Sequence, residues 1–184
     1  MVVVKTIPLG AIDKTPAGLT FDGKNLWWCG GTGNVIIQMD RLGNVIKSIP
    51  SPAFATYGGL STDGKNLWAA MTQPVVPRID MLDKQGNLIK SIALIGFFNT
   101  PLGITLFDKK YIWWADSTNT LYQMDKAGNT IKTIAVGTFP WGITFDGKYL
   151  WWIDLSNKLI VLQWIVTGKQ IGRASCRERV LRLV

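Results

Sequence analysis

Asp116 and Asp154 are the residues of this 184-residue chain whose type and position most suggest chemistry. Each closes a Trp-Trp-x-Asp run, Trp113-Trp114-Ala115-Asp116 and Trp151-Trp152-Ile153-Asp154, and each is followed three residues on by Asn119 or Asn157. A carboxylate beside an amide on a loop edge can orient a polar ligand or hold a cation. The same pair also makes an Asx turn that ties down its own loop. Both readings stand at the level of sequence. Gly30 and Met71 occupy the matching places elsewhere in the chain, so the backbone does not require an acid there.

Other reactive constellations are missing. There is no histidine, and the single glutamate is Glu178. Ser-His-Asp triads, Cys-His pairs, HExxH zinc sites and glutamate general bases are therefore excluded upstream of that residue. No catalytic residue, metal site or cofactor is expected. Cys29 aligns with Ala70, Ala115 and Ile153, which makes it a core thiol. The GGTG run from Gly30 to Gly33 has no helix after it to bind a phosphate, and reads as a hairpin loop.

The elements that must carry these residues form a repeat. GLTFDGKNLWW, GLSTDGKNLWA, GITLFDKKYIWW and GITFDGKYLWW begin at Gly18, Gly59, Gly103 and Gly142. A spacing of about 40 residues is the period of a four-stranded repeat unit. Each unit reads as four short strands, a to d. Asp-Gly pairs at Asp22, Asp63 and Asp146 join a to b, where a tight hairpin needs positive φ. The third unit has Asp108-Lys109-Lys110 instead, which predicts a looser turn. Asp40, Asp80 and Asp125 are expected before the Gly-Asn turns that lead into strand d. The recurrence of all these aspartates marks them as turn residues. Lys24, Lys65, Lys110 and Lys148 in the a–b turns, and Lys47, Lys90 and Lys132 on strand d, recur likewise and make a solvated rim that guards sheet edges.

Paired tryptophans choose the architecture. Neighbours on a strand point to opposite faces, so Trp27 and Trp28, Trp113 and Trp114, and Trp151 and Trp152 place rings on both sides of each sheet. Only a sheet sandwiched between others buries both sides. The expected fold is all-β: a β-propeller with about four four-stranded antiparallel blades. A solenoid of stacked hairpins fits this two-sided burial less well.

The pattern P-x-G-[IL]-T-F-D-G-K-x-L-W-W followed by GNxIKxI resembles a broad superfamily of six- and seven-bladed propellers. It includes NHL-repeat, streptogramin lyase-like and glutaminyl-cyclase-like proteins. The likeness covers residues 4–163 and implies the fold. It brings no catalytic residue across, because the lyases' histidine and acidic site and the cyclases' glutamate have no counterpart here.

Residues 1–170 are assigned to the propeller, with 1–10 as the outer strand of a preceding or closing blade. An open arc of a larger ring is favoured over a closed set of four. Residues 171–184 differ in composition, holding four of the six arginines, and QIGRASCRERV resembles the conceptual translation of a sequencing adapter. They are expected to be a non-native tail. Removing their four arginines and one glutamate takes the net charge from +8 to +5. With the remaining basic residues on a rim and the aromatics in the core, nucleic acid is not an expected partner. No apolar run is long enough to span a membrane. A start upstream of Met1 would leave export open.

The d–a loops vary while the strands repeat. They should gather Tyr57, Phe97, Phe98, Phe139 and Trp141 near Asp116 and Asp154, either as a ligand surface or as a plug of the channel. The expected function is a non-catalytic module that binds a small molecule, glycan or protein on this face. The competing class is a piece of a propeller lyase or glutaminyl cyclotransferase whose acid–base residues lie on other blades.

Overall fold

The structure is a computed structural model that describes residues 6–7, 9, 15–30, 34–51, 56–73, 76–94, 100–107, 110–136, 139–146, 148–154, 156–157, 159–164 and 179–182. The protein is an all-β propeller with four four-stranded antiparallel blades, and the described residues include no helix. Blade 1 contains β1 (Pro16–Phe21), β2 (Leu26–Gly30), β3 (Val35–Met39) and β4 (Val45–Pro50). Blade 2 contains β5 (Thr56–Thr62), β6 (Leu67–Gln73), β7 (Arg78–Leu82) and β8 (Leu88–Ala93). Blade 3 runs through β9 (Pro101–Phe107), β10 (Tyr111–Asp116), β11 (Thr120–Asp125) and β12 (Thr130–Ala135). Blade 4 runs through β13 (Pro140–Phe145), β14 (Tyr149–Asp154), β15 (Leu159–Trp164) and β16 (Arg179–Arg182). Blades 1 and 2 belong to one compact unit, Met1–Phe98, and blades 3 and 4 to a second, Asn99–Val184.

The hairpins form for the reasons written in the repeat. In the a–b turn, Oδ1 of Asp22 accepts hydrogen bonds from the backbone N–H of Lys24 (2.9 Å) and Asn25 (2.8 Å), and Gly23 takes φ 95°. Its other oxygen accepts from the indole N–H of Trp27 at 2.9 Å. The same bond joins Asp63 to Trp68 (3.1 Å) and Asp146 to Trp151 (2.7 Å). One carboxylate thus closes the turn and fixes the rotamer of the first tryptophan on strand b, which accounts for the five-residue spacing.

One assignment from the sequence is corrected in the c–d turn. Asp40, Asp83 and Asp125 hold these turns, each taking the side-chain amide of Asn44, Asn87 or Asn129 at 2.8 Å. Asp80 lies three residues earlier, in the middle of β7, and is fully buried. The extra acid in Arg78-Ile79-Asp80-Met81-Leu82-Asp83 had put the repeat out of register.

Burial follows the tryptophans. Trp27, Trp28, Trp68, Trp113, Trp114 and Trp152 are all at most 2% exposed, so both sides of a blade are core. Trp27, Cys29 and Ile36 of blade 1 pack against Tyr57, Leu60, Leu67, Ala69 and Leu82 of blade 2. Trp113, Ala115 and Leu121 of blade 3 pack against Ile143, Leu150, Trp152 and Val161 of blade 4. Glycine lets the innermost strands meet. A Cβ on Gly18 would lie 2.9 Å from Cα of Gly59, and one on Gly103 would lie 2.8 Å from the carbonyl oxygen of Trp141.

Of residues 4–10, Thr6, Ile7 and Leu9 are described; none is in a strand, and Ile7 and Leu9 pack on Trp28, Ile37 and Met39. The outer strand of blade 4 is β16, whose backbone pairs with β15 from Leu159↔Arg182 to Leu162↔Arg179. It comes from the stretch set apart above as a tail.

Candidate functional site

Strand a begins and strand b ends at the same edge of each blade. In blade 3 Pro101 pairs with Asp116, and in blade 4 Pro140 pairs with Asp154. Both pairs follow a register shift, and such bulges re-aim side chains that strict alternation would bury. The shift in blade 4 spans Trp141 and Gly142. Trp141 is 46% exposed there, with the Phe139 ring tilted at 33° to it and 6.0 Å away.

The two carboxylates at this edge are already engaged. Asp116 is fully buried. Its Oδ1 accepts from the backbone N–H of Thr118 (2.9 Å) and Thr120 (3.1 Å), and its Oδ2 from the hydroxyls of Thr118 (2.7 Å) and Tyr122 (3.0 Å). Asn119 bridges the turn at φ 66°, a left-handed conformation that asparagine tolerates. Burial, then the charge of Asp116 and its hydrogen bond, raise the Tyr122 pKa, so this phenol stays a donor. Tyr122 also stacks on Trp114 at 4.2 Å, which ties the loop to the core. Asp154 accepts from the backbone N–H (3.0 Å) and side-chain amide (2.8 Å) of Asn157. At Asp116 the bond to the N–H two residues on makes an Asx turn, whereas the Asp154 carboxylate holds Asn157, three residues on.

Of the remaining residues expected at the site, Phe97 and Phe98 lie outside the described residues. Tyr57 is not at an open edge. Its ring is fully buried between blades 1 and 2, where its carbonyl takes the Cys29 thiol at 3.5 Å. Phe139 and Trp141 thus lie beside one another at the a/b edge of blade 4, where Asp154 ends strand b, and Asp116 ends strand b of blade 3. Among the described residues no cluster of three or more His, Cys, Asp or Glu is placed to hold a metal.

The least expected group is around Asp80. Its carboxylate accepts from the Tyr57 hydroxyl (3.1 Å), the Ser91 hydroxyl (2.6 Å) and Nε of Arg78 (2.9 and 3.1 Å). Burial and the neighbouring Asp80 charge raise the Tyr57 pKa strongly. Asp80 pairs across the ladder with Ala69, where blades 1, 3 and 4 have Ile37 opposite Trp28, Tyr122 opposite Trp114 and Val161 opposite Trp152. Blade 2 has lost its second tryptophan, and Tyr57 and the Asp80 network fill that side. The signal in the sequence was the Trp68-Ala69 departure from Trp-Trp, together with an acid at an apolar position of strand c.

No protein-family model matches the chain, and no curated protein matches it. Solved structures do show its fold. The chain is similar to a virginiamycin B lyase from Staphylococcus aureus, with a TM-score of 0.64 and 17% identity over 92% of this chain and 56% of that one. It is similar to Myxococcus xanthus glutaminyl cyclase, with a TM-score of 0.65 and 10% identity over 80% and 64% of the two chains. It is also similar to the Cps50 (Swd1) β-propeller domain of Myceliophteria thermophila, with a TM-score of 0.63 and 11% identity over 90% and 57%. The chain thus spans somewhat over half the length of these relatives. Enzymes and a propeller domain of another kind share this fold, so the likeness reports architecture alone.

Proposed function

We propose that this chain is a non-catalytic binding module that engages a glycan or similar flat-faced ligand at the strand a/strand b edge of blades 3 and 4. The observation that supports this is Trp141. Its ring is exposed beside Phe139, whereas Trp27, Trp28, Trp68, Trp113, Trp114 and Trp152 serve the core. An exposed tryptophan offers flat apolar area at low entropic cost, as is usual for sugar and small-ligand sites. Phe139 and Trp141 make the contact. Asp116 and Asp154 position the loops beside them, since both carboxylates are hydrogen-bonded by their own turns.

A second reading is supported by the two enzymes among the similar structures. On that reading the chain is part of a longer propeller lyase or cyclotransferase, and its blades scaffold acid–base residues borne elsewhere.

Tryptophan fluorescence during titration with soluble cello-, xylo- and chito-oligosaccharides tests the first reading. A saturable shift with one of them, lost in Trp141→Ala and kept in Lys24→Ala, is the expected result. A flat response to the whole panel, or a shift that survives Trp141→Ala, would remove Trp141 as the platform.

A further inference from the structure

The contact between blades 3 and 4 is built from a seat and a knob. The seat is the face of blade 3 that carries Gly103 and Ala115, which pair across β9 and β10. The knob is Ile143, the residue after the glycine on strand a of blade 4; it packs against Ala115, and its Cγ2 would lie 3.0 Å from a Cβ on Gly103. Blades 1 and 2 repeat the arrangement with Gly18 and Cys29 as seat and Leu60 as knob. In both contacts the knob is buried, Leu60 at 4% and Ile143 at 9% exposure.

Blade 4 carries a seat of its own. Gly142 and Ile153 are its counterparts of Gly103 and Ala115, and the Ile153 side chain lies 3.6 Å from where a Gly142 Cβ would be. Among the described residues nothing else comes within 4 Å of that point. Ile153 is 45% exposed, although Cys29 and Ala115 at the same place are fully buried. Blade 1 carries the matching knob. Leu19 stands where Leu60 and Ile143 stand and is 66% exposed; Phe21, two residues on, is 43% exposed under the guanidinium of Arg41. Ile7 and Leu9 pack on Trp28, Ile37 and Met39, which leaves Leu19 on the innermost strand open.

We propose that the Gly142–Ile153 face of blade 4 receives Leu19 and Phe21 of blade 1 from a second copy of this chain. The contact is head-to-tail and continues the blade-on-blade packing already present within each unit. Both halves are exposed on one chain. Leu19 is of the residue type that fills the seat in the observed contacts, while Ile153 offers it apolar surface where the observed seats have the smaller Ala115 and Cys29. No foreign sequence is needed. Because the two patches differ, the interface is heterologous.

Sedimentation velocity on the full chain over a range of concentrations tests this. Self-association that strengthens with concentration is expected, and Leu19→Asp and Ile153→Asp should each sediment as monomers. Both positions are exposed, so circular dichroism should confirm that either variant keeps its fold. Mixing the two variants is decisive. The Leu19→Asp chain retains a sound seat and the Ile153→Asp chain a sound knob, so an equimolar mixture should form a heterodimer. A wild-type chain that stays monomeric at every concentration overturns the proposal. So does association that survives either substitution, or a mixture that remains monomeric.

Discussion

Nζ of Lys84, in the c–d turn of blade 2, donates to Oδ2 of Asp22, in the a–b turn of blade 1, at 2.6 Å. The same carboxylate oxygen takes the Trp27 indole, and the Lys84 ammonium lies 5.9 Å from the centroid of that ring. A surface lysine therefore joins neighbouring blades through a residue whose first task is to close a hairpin. Burial alone would raise the Asp22 pKa. Hydrogen bonds from Asn25, Lys84, Trp27 and Lys24 outweigh it and hold the carboxyl well below the usual range.

A pH prediction follows from that depression. An aspartate with a lowered folded pKa contributes stability that is complete above its unfolded value, about 3.9. The contribution fades below about pH 4 and is gone once the pH has fallen through the folded pKa. Lys84→Met should cost about 1 kcal/mol at neutral pH, the scale of a partly exposed ion pair. Denaturant melts at pH 7 and pH 3 check this: the folded carboxyl stays ionised at pH 3, so nearly the same cost is expected at both. A cost that has vanished by pH 3 would mean that the folded carboxyl is already neutral there and that its partners do not hold it as described.

Asp80 should be among the costliest polar residues to lose. Asp80→Ala leaves Arg78, Tyr57 and Ser91 without their shared acceptor, and about 3–5 kcal/mol is the scale for breaking a buried charge pair. Tyr57→Phe removes one hydrogen bond and keeps the ring, so about 1–2 kcal/mol is expected. Guanidinium unfolding of both variants would decide the matter. Comparable small losses would show that water can replace the network.

The strand a glycines should separate under Gly→Ala substitution. At Gly18 the added Cβ meets backbone of Gly59 and Leu60, and at Gly103 the Trp141 carbonyl and the Ile143 amide. Backbone cannot swing aside, so each should lose about 1–3 kcal/mol, the overpacking range. Gly142→Ala meets only the end of the Ile153 side chain and should be neutral in an isolated chain. Thermal melts of the three variants supply the comparison. The same Gly142→Ala change should weaken self-association, since it fills the proposed seat.

Residues 171–184 are proposed to be separable from the fold, although β16 lies within them and pairs with β15. A chain ending at Lys169 should unfold within about 1 kcal/mol of the full chain. A loss above about 2 kcal/mol, the scale of a buried apolar side chain, would instead make β16 an integral outer strand.

Much of this protein is local and could be read directly. The Asp22-Gly23 and Asp63-Gly64 turns, the Trp27-Trp28 and Trp113-Trp114 pairs and the repeat from Gly18 to Gly142 each involve residues close in sequence. Hairpin chemistry and strand alternation therefore determine their structure. The turn-to-tryptophan bond was implicit in the spacing but invisible, because a carboxylate has two oxygens and only the fold shows where the second points. Asp80 was misread because an acid three residues from Asp83 looks like the same turn residue until strand pairing fixes the register. Tyr57 was misplaced because a loop aromatic and a core aromatic have the same composition. Only the packing of blade 2 on blade 1 shows that Ala69 leaves room for its ring. Exposure at Leu19, Trp141 and Ile153 likewise belongs to tertiary structure. Identical repeat positions differ in burial according to what packs against them, and no single repeat carries that information.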